Sequence, residues 1–496
     1  YNSPSLINIC HLTFSYEGSF DTIFEDVSFQ IDTDWKLGFI GRNGRGKTTF
    51  LQLLTGKYGY SGSISKSGVE FGYFPFTVAD PYQNTLEIAQ DVLPCRPLWQ
   101  ITRELSLLDL DDEVLYRPFI TLSQGEQTKV LLAVLFLKEN CFLLIDEPTN
   151  HLDASSRQKV CSYLKNKKGF ILVSHDRAFL DGCVDHILSI NRSNLEIQKG
   201  NFSSWYQNKQ QRDHFELAEN EKLKKEINRL NQSARRTANW SNAVEKTKYG
   251  TKNSGLRPDR GYIGHKSAKM MQRTKAIEQR RQSAVESKQK LLKNLEQADS
   301  LSLHPLAYHT NRLAVLQNVS IFYKQKLVCK DVSFTITQGD RIALQGKNGS
   351  GKSSVLKLIN GTPVFYTGSL HIGSQVKISY VPQDTSFLQG DLSSYAAQHQ
   401  IDESLFKAIL RKLDFARTQF EKDMHTFSAG QKKKVLLAKS LCERAHLYIW
   451  DEPLNYIDVF SRMQIEALLK SCAATVLFVE HDLSFTENIA TRIIRL

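Results

Sequence analysis

Short apolar runs alternate with longer stretches of helical periodicity towards both ends of this 496-residue chain. The apolar runs have the length of strands: FGYF (71–74), CFLLID (141–146) and FILVSH (170–175), then KISYV (377–381), LYIWD (447–451) and TVLFVEH (475–481). Continuous apolar strands that alternate with helices form mainly parallel sheets covered on both faces. The pattern therefore predicts an α/β fold.

Three motifs each occur twice at one constant spacing of 305 residues. GRNGRGKT (41–48) returns as GKNGSGKS (346–353), LSQGEQ (122–127) as FSAGQK (427–432), and LLIDEPTNHLD (143–153) as YIWDEPLNYID (448–458). A constant spacing indicates an internal repeat. We predict two domains of one design, residues 1–202 and 301–496, joined by residues 203–300.

The joining segment has a different pattern. Residues 203–239 contain no Gly or Pro and carry only a thin apolar stripe, and a second such run covers about 266–298. Four Gly and a Pro interrupt helix between them. We predict a long antiparallel helical hairpin with a tip loop at about 240–265 and arms of roughly 50 Å. A solvated charged linker is the alternative.

The net charge of +12 is confined to that segment. Residues 207–298 hold 22 Lys and Arg against 10 Asp and Glu, so the rest of the chain is balanced. This distribution indicates one basic element between two domains that together carry no net charge. No apolar run is long enough to span a bilayer, and we expect no membrane segment and no secretion signal. The eight cysteines stand singly, which argues against zinc sites or a disulfide framework and fits a reducing cytosol.

The first motif of each repeat matches the phosphate-binding pattern G-x-x-x-x-G-K-[ST]. Its glycines let backbone N–H groups surround phosphates. We expect Lys47 and Lys352 to contact the β- and γ-phosphates of a nucleotide, and Thr48 and Ser353 to bind Mg²⁺. Each motif follows an apolar strand and precedes an apolar helix, which is the required context.

The third motif supplies carboxylates, 100 residues after each of these lysines. Asp146 and Asp451 are predicted to hold Mg²⁺, and Glu147 and Glu452 to polarise the attacking water. His175 and His481 follow the next strand and are predicted to contact the γ-phosphate. A purely structural role is the alternative for each His.

LSQGEQ and FSAGQK resemble the signature loop of ABC ATPases. In that family two cassettes dock head to tail, so the resemblance implies a monomer with an intramolecular cassette pair. Lys47 would then share a nucleotide with Ser428 and Gly430, and Lys352 with Ser123 and Gly125. Asp153 and Asp458 match the loop that crosses the interface.

The nucleotide contacts implied in full are Tyr16, Gly41, Asn43, Gly44, Gly46, Lys47, Thr48, Thr49, Ser123, Gly125, Glu126, Tyr323, Gly346, Asn348, Gly349, Gly351, Lys352, Ser353, Ser354, Gln383, Ser428, Gly430 and Gln431. Tyr16 and Tyr323 match the ring that stacks on adenine, with strand packing as the alternative.

The two repeats depart from the family pattern in two places. Gln124 and Ala429 occupy a signature position that is usually Gly. Gln383 matches the family's metal-binding glutamine, but Phe76 stands at that place in the first repeat. A phenyl ring cannot bind Mg²⁺ or orient water. We therefore expect the two sites to differ in hydrolysis.

EPTNHLD (147–153) resembles the signature of the ABC-F subfamily, and the basic segment resembles its interdomain linker. That resemblance covers essentially the whole chain. It implies ATP and Mg²⁺ as cofactors, a cytoplasmic location, and binding at the ribosomal exit site with contacts to large-subunit rRNA and P-site tRNA; it implies no DNA or membrane partner. Segments such as WKLGFIGRNGRGKTT and FELAENEKLKKEINRL are similar to Lsa-type members, which are implied to displace lincosamides, pleuromutilins and streptogramin A.

The hairpin residues expected to meet RNA are basic or aromatic, except for Leu256 and Pro258, which with Arg257 are expected to form the extreme tip. They are Arg235, Arg236, Trp240, Lys246, Lys248, Tyr249, Lys252, Leu256, Arg257, Pro258, Arg260, Tyr262, Lys266 and Lys269. Basic groups there would neutralise phosphates, and the aromatic rings could stack on unpaired bases. Packing of Trp240 and Tyr262 within the hairpin is equally compatible with the pattern.

Three other functions remain as alternatives. A housekeeping translation factor would use the same residues, although the spacing of 76 residues from Lys47 to Ser123 leaves no room for the arm that such factors insert. A transporter ATPase subunit would give no reason for the basic segment. A DNA-repair ATPase would normally carry a coiled coil or zinc modules inside a cassette.

Overall fold

The computed structural model describes residues 6–16, 22–42, 44, 46–66, 68–191, 194–246, 300–323 and 326–496, together with scattered positions between 265 and 286. The chain divides into two compact units, Tyr1–Trp205 with Ala298–Leu496, and Tyr206–Gln297. Both repeats belong to the first unit.

The first repeat, here called cassette 1, alternates strands and helices. Its described strands are β1 (Leu6–Ser15), β2 (Thr22–Asp32), β3 (Lys36–Ile40), β4 (Ser61–Ser65), β5 (Glu70–Phe74), β6 (Cys141–Asp146), β7 (Phe170–Val173), β8 (His186–Asn191) and β9 (Asn194–Lys199). Its described helices are α1 (Lys47–Leu54), α2 (Thr85–Val92), α3 (Leu98–Leu107), α4 (Gln124–Phe136), α5 (Ala154–Lys165) and α6 (Arg177–Cys183). The long helix α7 (Phe202–Lys246) follows.

The second repeat, cassette 2, has the same order of elements, without a described counterpart of β9. Its described strands are β10 (Arg312–Tyr323), β11 (Lys326–Thr337), β12 (Arg341–Gln345), β13 (Phe365–Ile372), β14 (Ile378–Val381), β15 (Leu447–Asp451), β16 (Val476–Val479) and β17 (Arg492–Arg495). Its described helices are α8 (Lys352–Ile359), α9 (Leu392–Gln398), α10 (Glu403–Lys412), α11 (Ala429–Cys442), α12 (Val459–Ser471) and α13 (Leu483–Ile489).

Each cassette is built around a mainly parallel sheet. The strand order is β5-β6-β7-β3-β8-β9 in cassette 1, where only β9 runs antiparallel, and β14-β15-β16-β12-β17 in cassette 2. The central strands β6, β7, β15 and β16 are buried along almost their whole length, so helices must cover both faces. This arrangement confirms the predicted α/β fold and the predicted strands.

Each cassette also contains a small antiparallel sheet that the apolar pattern did not predict. The strand orders are β2-β1-β4 and β11-β10-β13. These strands bury one face only, with Ile7, Ile9 and Phe24 against the core in cassette 1, so their apolar residues are interrupted by polar ones. The interruption hides them from a search for continuous apolar runs.

The two cassettes pack against each other within the first unit. Arg177 at the start of α6 forms an ion pair with Glu466 of α12, and both side chains are largely buried. The indole of Trp205 lies edge-on to the ring of Phe460, 6.2 Å between centroids, and the Arg42 guanidinium lies 5.8 Å from the same ring. The contact of Arg42 with Phe460 joins the phosphate loop of cassette 1 to the start of α12 in cassette 2.

Helix α7 runs to Lys246, beyond the start of the predicted tip at about 240. Residues 240–246 contain no Gly or Pro, and Gly250 is the first helix-breaking residue after them. The hairpin over 203–300 and its tip at 240–265 stay predictions, because most of residues 247–299 lie outside the described residues. In the part of the chain that the structure describes, no helix has both the length and the hydropathy that crossing a membrane requires.

Candidate nucleotide sites

Each phosphate loop turns into a helix through a glycine in the left-handed region. Gly46 precedes α1 with a φ of 94°, and Gly351 precedes α8 with a φ of 91°. A side chain would be strained at this φ, which explains the glycine at this place of the motif. The turn points the first backbone N–H groups of each helix into the loop, where they can receive phosphate oxygens.

The two loop lysines are buried and rest on carbonyl oxygens of their own loops. Lys47 Nζ donates to Gly41 O at 2.6 Å and to Arg42 O at 3.2 Å. Lys352 Nζ donates to Gly346 O and Lys347 O, both at 2.9 Å. Burial lowers the pKa of both lysines. A phosphate between these groups would give each ammonium a charged partner in place of neutral carbonyls.

The carboxylates that end β6 and β15 lie beside the hydroxyls that follow the lysines. Thr48 Oγ1 is 3.5 Å from Asp146 Oδ2, and Ser353 Oγ donates to Asp451 Oδ1 at 3.2 Å. Among the described residues, Asp451 Oδ2 is buried without a hydrogen-bond partner, and burial raises the pKa of Asp451 to about 6. A buried carboxylate oxygen beside a hydroxyl fits a hard divalent cation such as Mg²⁺.

Glu147 of cassette 1 has an incompletely paired carboxyl group. His175 Nε2 lies 3.1 Å from Glu147 Oε1, yet this oxygen has no hydrogen-bond partner among the described residues, so the ring N–H is not aligned with it. Burial and the neighbouring charge of Asp146 raise the pKa of Glu147 to about 8. Burial and the charge of Lys47 hold the pKa of His175 well below its usual range.

Glu452 of cassette 2 is held from three sides. Its Oε2 accepts from Gln383 Nε2 at 2.9 Å and from Asn455 Nδ2 at 2.5 Å, and its Oε1 is hydrogen-bonded to His481 Nε2 at 3.2 Å. Burial alone would raise the pKa of Glu452, but the hydrogen bond and charge of His481 and the hydrogen bond from Gln383 outweigh it and lower the pKa. The surroundings of the two glutamates therefore shift their pKa values in opposite directions.

Both glutamates have an unusual backbone conformation, with φ of 50° at Glu147 and 48° at Glu452. Residues with a side chain rarely adopt this region, and such strain is concentrated at functional sites. The same strain at the same place in both repeats indicates that the position of the carboxyl group is under constraint.

Each cavity at a phosphate loop takes walls from both cassettes. The first, of about 740 Å³, has Lys47, Thr48 and Asp146 on one side and Ser428 and Gly430 on the other. The second, of about 540 Å³, is lined by residues of cassette 2, Asn348, Gly349, Gly351, Lys352, Ser353, Ser354, Gln383, Glu452 and His481, and by cassette 1 residues that include Gln124 and Asn150. The cassettes thus face each other head to tail.

Some predicted contacts lie beside these cavities. The second cavity is lined by Gln124 of the signature loop but not by Ser123, Gly125 or Glu126. Ser123 and Glu126 close a capping box at the start of α4, as Ser428 and Gln431 do at α11. This pairing satisfies helix N–H groups, a structural function that the serines have in addition to any contact with nucleotide.

The two tyrosines predicted to stack on adenine differ. Tyr16 lines the first cavity, and its hydroxyl shares a hydrogen bond of 2.6 Å with Thr49 Oγ1. Tyr323 is exposed and does not line the second cavity. Asn43 lies outside the described residues.

Three site residues were not predicted. Tyr73 donates to Asp146 Oδ2 at 2.8 Å, Asn455 donates to Glu452, and Tyr456 lines both cavities. Tyr456 occupies the place of His151 in the repeat. That difference between the two copies of the motif could have indicated a role for Tyr456. For Tyr73 the sequence offered no such signal beyond its position close to Phe76.

The predicted RNA contacts are barely covered by the structure. Lys269 is helical and exposed. Arg235, Arg236, Trp240 and Lys246 belong to α7, but nothing describes their side chains. The others lie outside the described residues: Lys248, Tyr249, Lys252, Leu256, Arg257, Pro258, Arg260, Tyr262 and Lys266.

Residues 24–150 and 329–455 match the family described as ABC transporter. Ribosome protection protein VmlR of Bacillus subtilis (strain 168) is 30% identical over 495 residues, which cover 96% of this chain and 84% of that protein. ATP-binding protein Uup of Buchnera aphidicola subsp. Acyrthosiphon pisum is 26% identical, over 98% of this chain and 80% of that protein.

Among solved structures, a chain from the complex of archaeal ribosomal stalk protein aP1 and ribosome recycling factor aABCE1 superimposes with a TM-score of 0.64. It is 17% identical and the match covers 98% of this chain and 87% of that chain, a likeness that shows the fold alone. Two matched domains and a full-length relative confirm the predicted family. The chain belongs to the ABC family, in its ABC-F group, and is an ATPase with two nucleotide-binding cassettes.

Proposed function

We propose that this ATPase binds the ribosome at the exit site while it holds ATP, and that residues 203–300 form a basic hairpin that reaches the peptidyl-transferase centre. There it displaces lincosamides, pleuromutilins and streptogramin A. The observation that carries the proposal is the charge distribution, because residues 207–298 hold the entire net charge of +12. The likeness to ribosome protection protein VmlR supports it.

A basic segment between two domains whose net charges cancel suits a polyanionic target. Lys and Arg side chains that neutralise phosphates release counterions, and this gives strong, salt-dependent binding to RNA. Residues 1–206 hold 19 Lys and Arg against 24 Asp and Glu, and residues 299–496 hold 23 against 18, so the two cassettes together add no net charge. The attraction for RNA is therefore concentrated in the segment at 207–298.

ATP binding and hydrolysis in the cassettes would control when the protein binds the ribosome and when it leaves. Lys47 and Lys352 would bind the β- and γ-phosphates, and Thr48, Asp146, Ser353, Gln383 and Asp451 would hold Mg²⁺, which neutralises charge on the phosphates. Glu452 would accept a proton from the attacking water, with His481 fixing the carboxylate. ATP would close the two cassettes because each cavity needs both walls, and hydrolysis would release that closure.

The variant Glu147→Gln, Glu452→Gln is expected to remain on ribosomes. It keeps the cavities but cannot take up a proton from water, so ATP stays bound and the closed state persists. Cosedimentation with ribosomes, in the presence of ATP and without nucleotide, measures the fraction of the variant that is bound. Glu139→Gln is the matched control, since that carboxylate is exposed and remote from both cavities.

A double variant that sediments free of ribosomes in the presence of ATP would contradict the proposal. Drug displacement has a separate test, in which cells that express the chain should tolerate more lincosamide than cells that express the double variant. Ribosome binding without any change in tolerance would favour a housekeeping translation factor.

Tyr16→Ala should weaken nucleotide binding at the first site only. Loss of an aromatic stacking contact is worth about 0.5–1.5 kcal/mol, or roughly a two- to tenfold change in affinity. Titration with a fluorescent ATP analogue measures it, and Tyr323→Ala, whose ring does not line the second cavity, is the control. If Tyr16→Ala binds the analogue as tightly as the unchanged protein does, the assignment of Tyr16 is wrong.

A further inference from the structure

Lys433 is a buried lysine of α11 that the predicted chemistry does not use. Its side chain is 2% exposed, and its Nζ donates to Pro382 O at 2.9 Å and to Asp451 O at 3.4 Å. Pro382 directly follows β14 and Asp451 is the last residue of β15, and these two strands are parallel neighbours. The ammonium thus ties together the two chain segments that leave the sheet beside the second cavity, which it also lines.

The contact to Pro382 matters because Gln383 is the next residue. Gln383 is exposed, and its amide donates to Glu452 Oε2 at 2.9 Å. An exposed glutamine on a loop has many rotamers and backbone positions available, so a directed hydrogen bond requires that the loop be held. Lys433 fixes the peptide that carries Gln383, from a buried position behind it.

A charged group at this buried position is not required for the fold. Burying an ammonium is unfavourable unless it is paired, and Lys433 has Asp451, Glu480, Glu452 and Asp384 as charged neighbours. In cassette 1 the equivalent residue is Thr128, on an equivalent helix beside equivalent strands. The same architecture therefore forms without the lysine.

The repeat shows which residue varies together with Lys433. Cassette 1 has Phe76 in place of Gln383 and Thr128 in place of Lys433. The carboxylates, the loop lysine and the histidine are present in both cassettes. The lysine is absent from the cassette that lacks the glutamine, as expected if its purpose is to hold that glutamine.

We infer that Lys433 is a positioning residue of the second ATP site: it holds the Pro382–Gln383 segment so that the Gln383 amide is aligned on Glu452. Lys433 and Gln383 then act as one unit, and this unit makes the second site the main site of hydrolysis. The inference rests on the proposed catalytic role of Glu452.

A double-mutant cycle on the full chain tests it. Lys433→Met should lower kcat about tenfold, within the range of coupled neighbours, and change KM for ATP less than the rate. Gln383→Ala should have a similar effect, and adding Lys433→Met to it should cost nothing further. Thr128→Met is the matched control and should leave the rate unchanged. If Lys433→Met lowers the rate equally in the presence and absence of Gln383, the lysine is merely structural and the inference is overturned.

A gain-of-function variant gives a second test, because a rise in activity cannot result from loss of folding. In a Glu452→Gln background, Phe76→Gln together with Thr128→Lys should raise the residual turnover at the first site, and Phe76→Gln alone should raise it less. Equal turnover in the two variants overturns the inference. If Glu452→Gln abolishes turnover while Lys433→Met does not change it, only Lys433 is wrongly assigned. If Glu452→Gln itself leaves the rate unchanged, the catalytic assignment fails, and this inference with it.

Discussion

Replacing Glu452 by Gln should lower the steady-state ATPase rate of the isolated protein by about a hundredfold or more, the usual loss when a general base is removed. The same change at Glu147 should leave most of the rate in place. Glu452 has a lowered pKa and is fixed by Gln383, Asn455 and His481. Glu147 lacks the glutamine, has an unpaired Oε1 among the described residues, and has a pKa raised to about 8.

Phosphate release measured at saturating ATP and Mg²⁺ distinguishes the two variants. Because the substitutions are chemically identical and 305 residues apart in a repeat, each is the control for the other. Equal losses in both variants would show that the structural inequality of the sites has no kinetic consequence. Binding of an ATP analogue should be retained in both, which excludes misfolding as the cause.

The second large effect concerns ribosome binding. Replacing Arg235, Arg236, Lys246, Lys248 and Lys252 by Gln should weaken ribosome binding and reduce its salt dependence. Each lost phosphate contact lowers the slope of log K against log salt by about 0.7–0.9, so five contacts would lower it by roughly 4. Binding measured over a series of salt concentrations gives this slope directly.

The matched control removes five exposed lysines from the cassettes: Lys57, Lys66, Lys168, Lys330 and Lys422. Both variants lose the same net charge, and only the first should lose affinity. If the control loses as much, the cassettes and not the segment at 207–298 provide the electrostatic contact. ATPase activity without ribosomes should be unchanged in both variants.

The parallel sheets could be predicted from sequence because their strands are buried on both faces and so form continuous apolar runs, such as LYIWD at β15. The antiparallel strands β1 and β10 could not, since each buries one face and mixes polar with apolar residues. The phosphate loops and carboxylates were predictable for a different reason. Their chemistry depends on local spacing, which a linear motif preserves.

Contacts between distant segments were less accessible. Ser428 and Lys47 line the same cavity. This pairing could be predicted only from resemblance to a family, because no local sequence pattern indicates which surfaces of two domains meet. Tyr456 lies between the two cavities, and Lys433 acts through a backbone carbonyl that has no signature in sequence. The repeat did contain a clue to both, since each differs in type from its counterpart, His151 or Thr128.

The shared walls of the two cavities have a consequence for synthesis of the chain. The first cavity needs Ser428 and Gly430 of cassette 2, and the second takes its phosphate loop and His481 from cassette 2. A nascent chain therefore has no complete site until cassette 2 has left the exit tunnel and folded against cassette 1. A protease cut within residues 206–297 would leave two halves that are active only for as long as they remain associated.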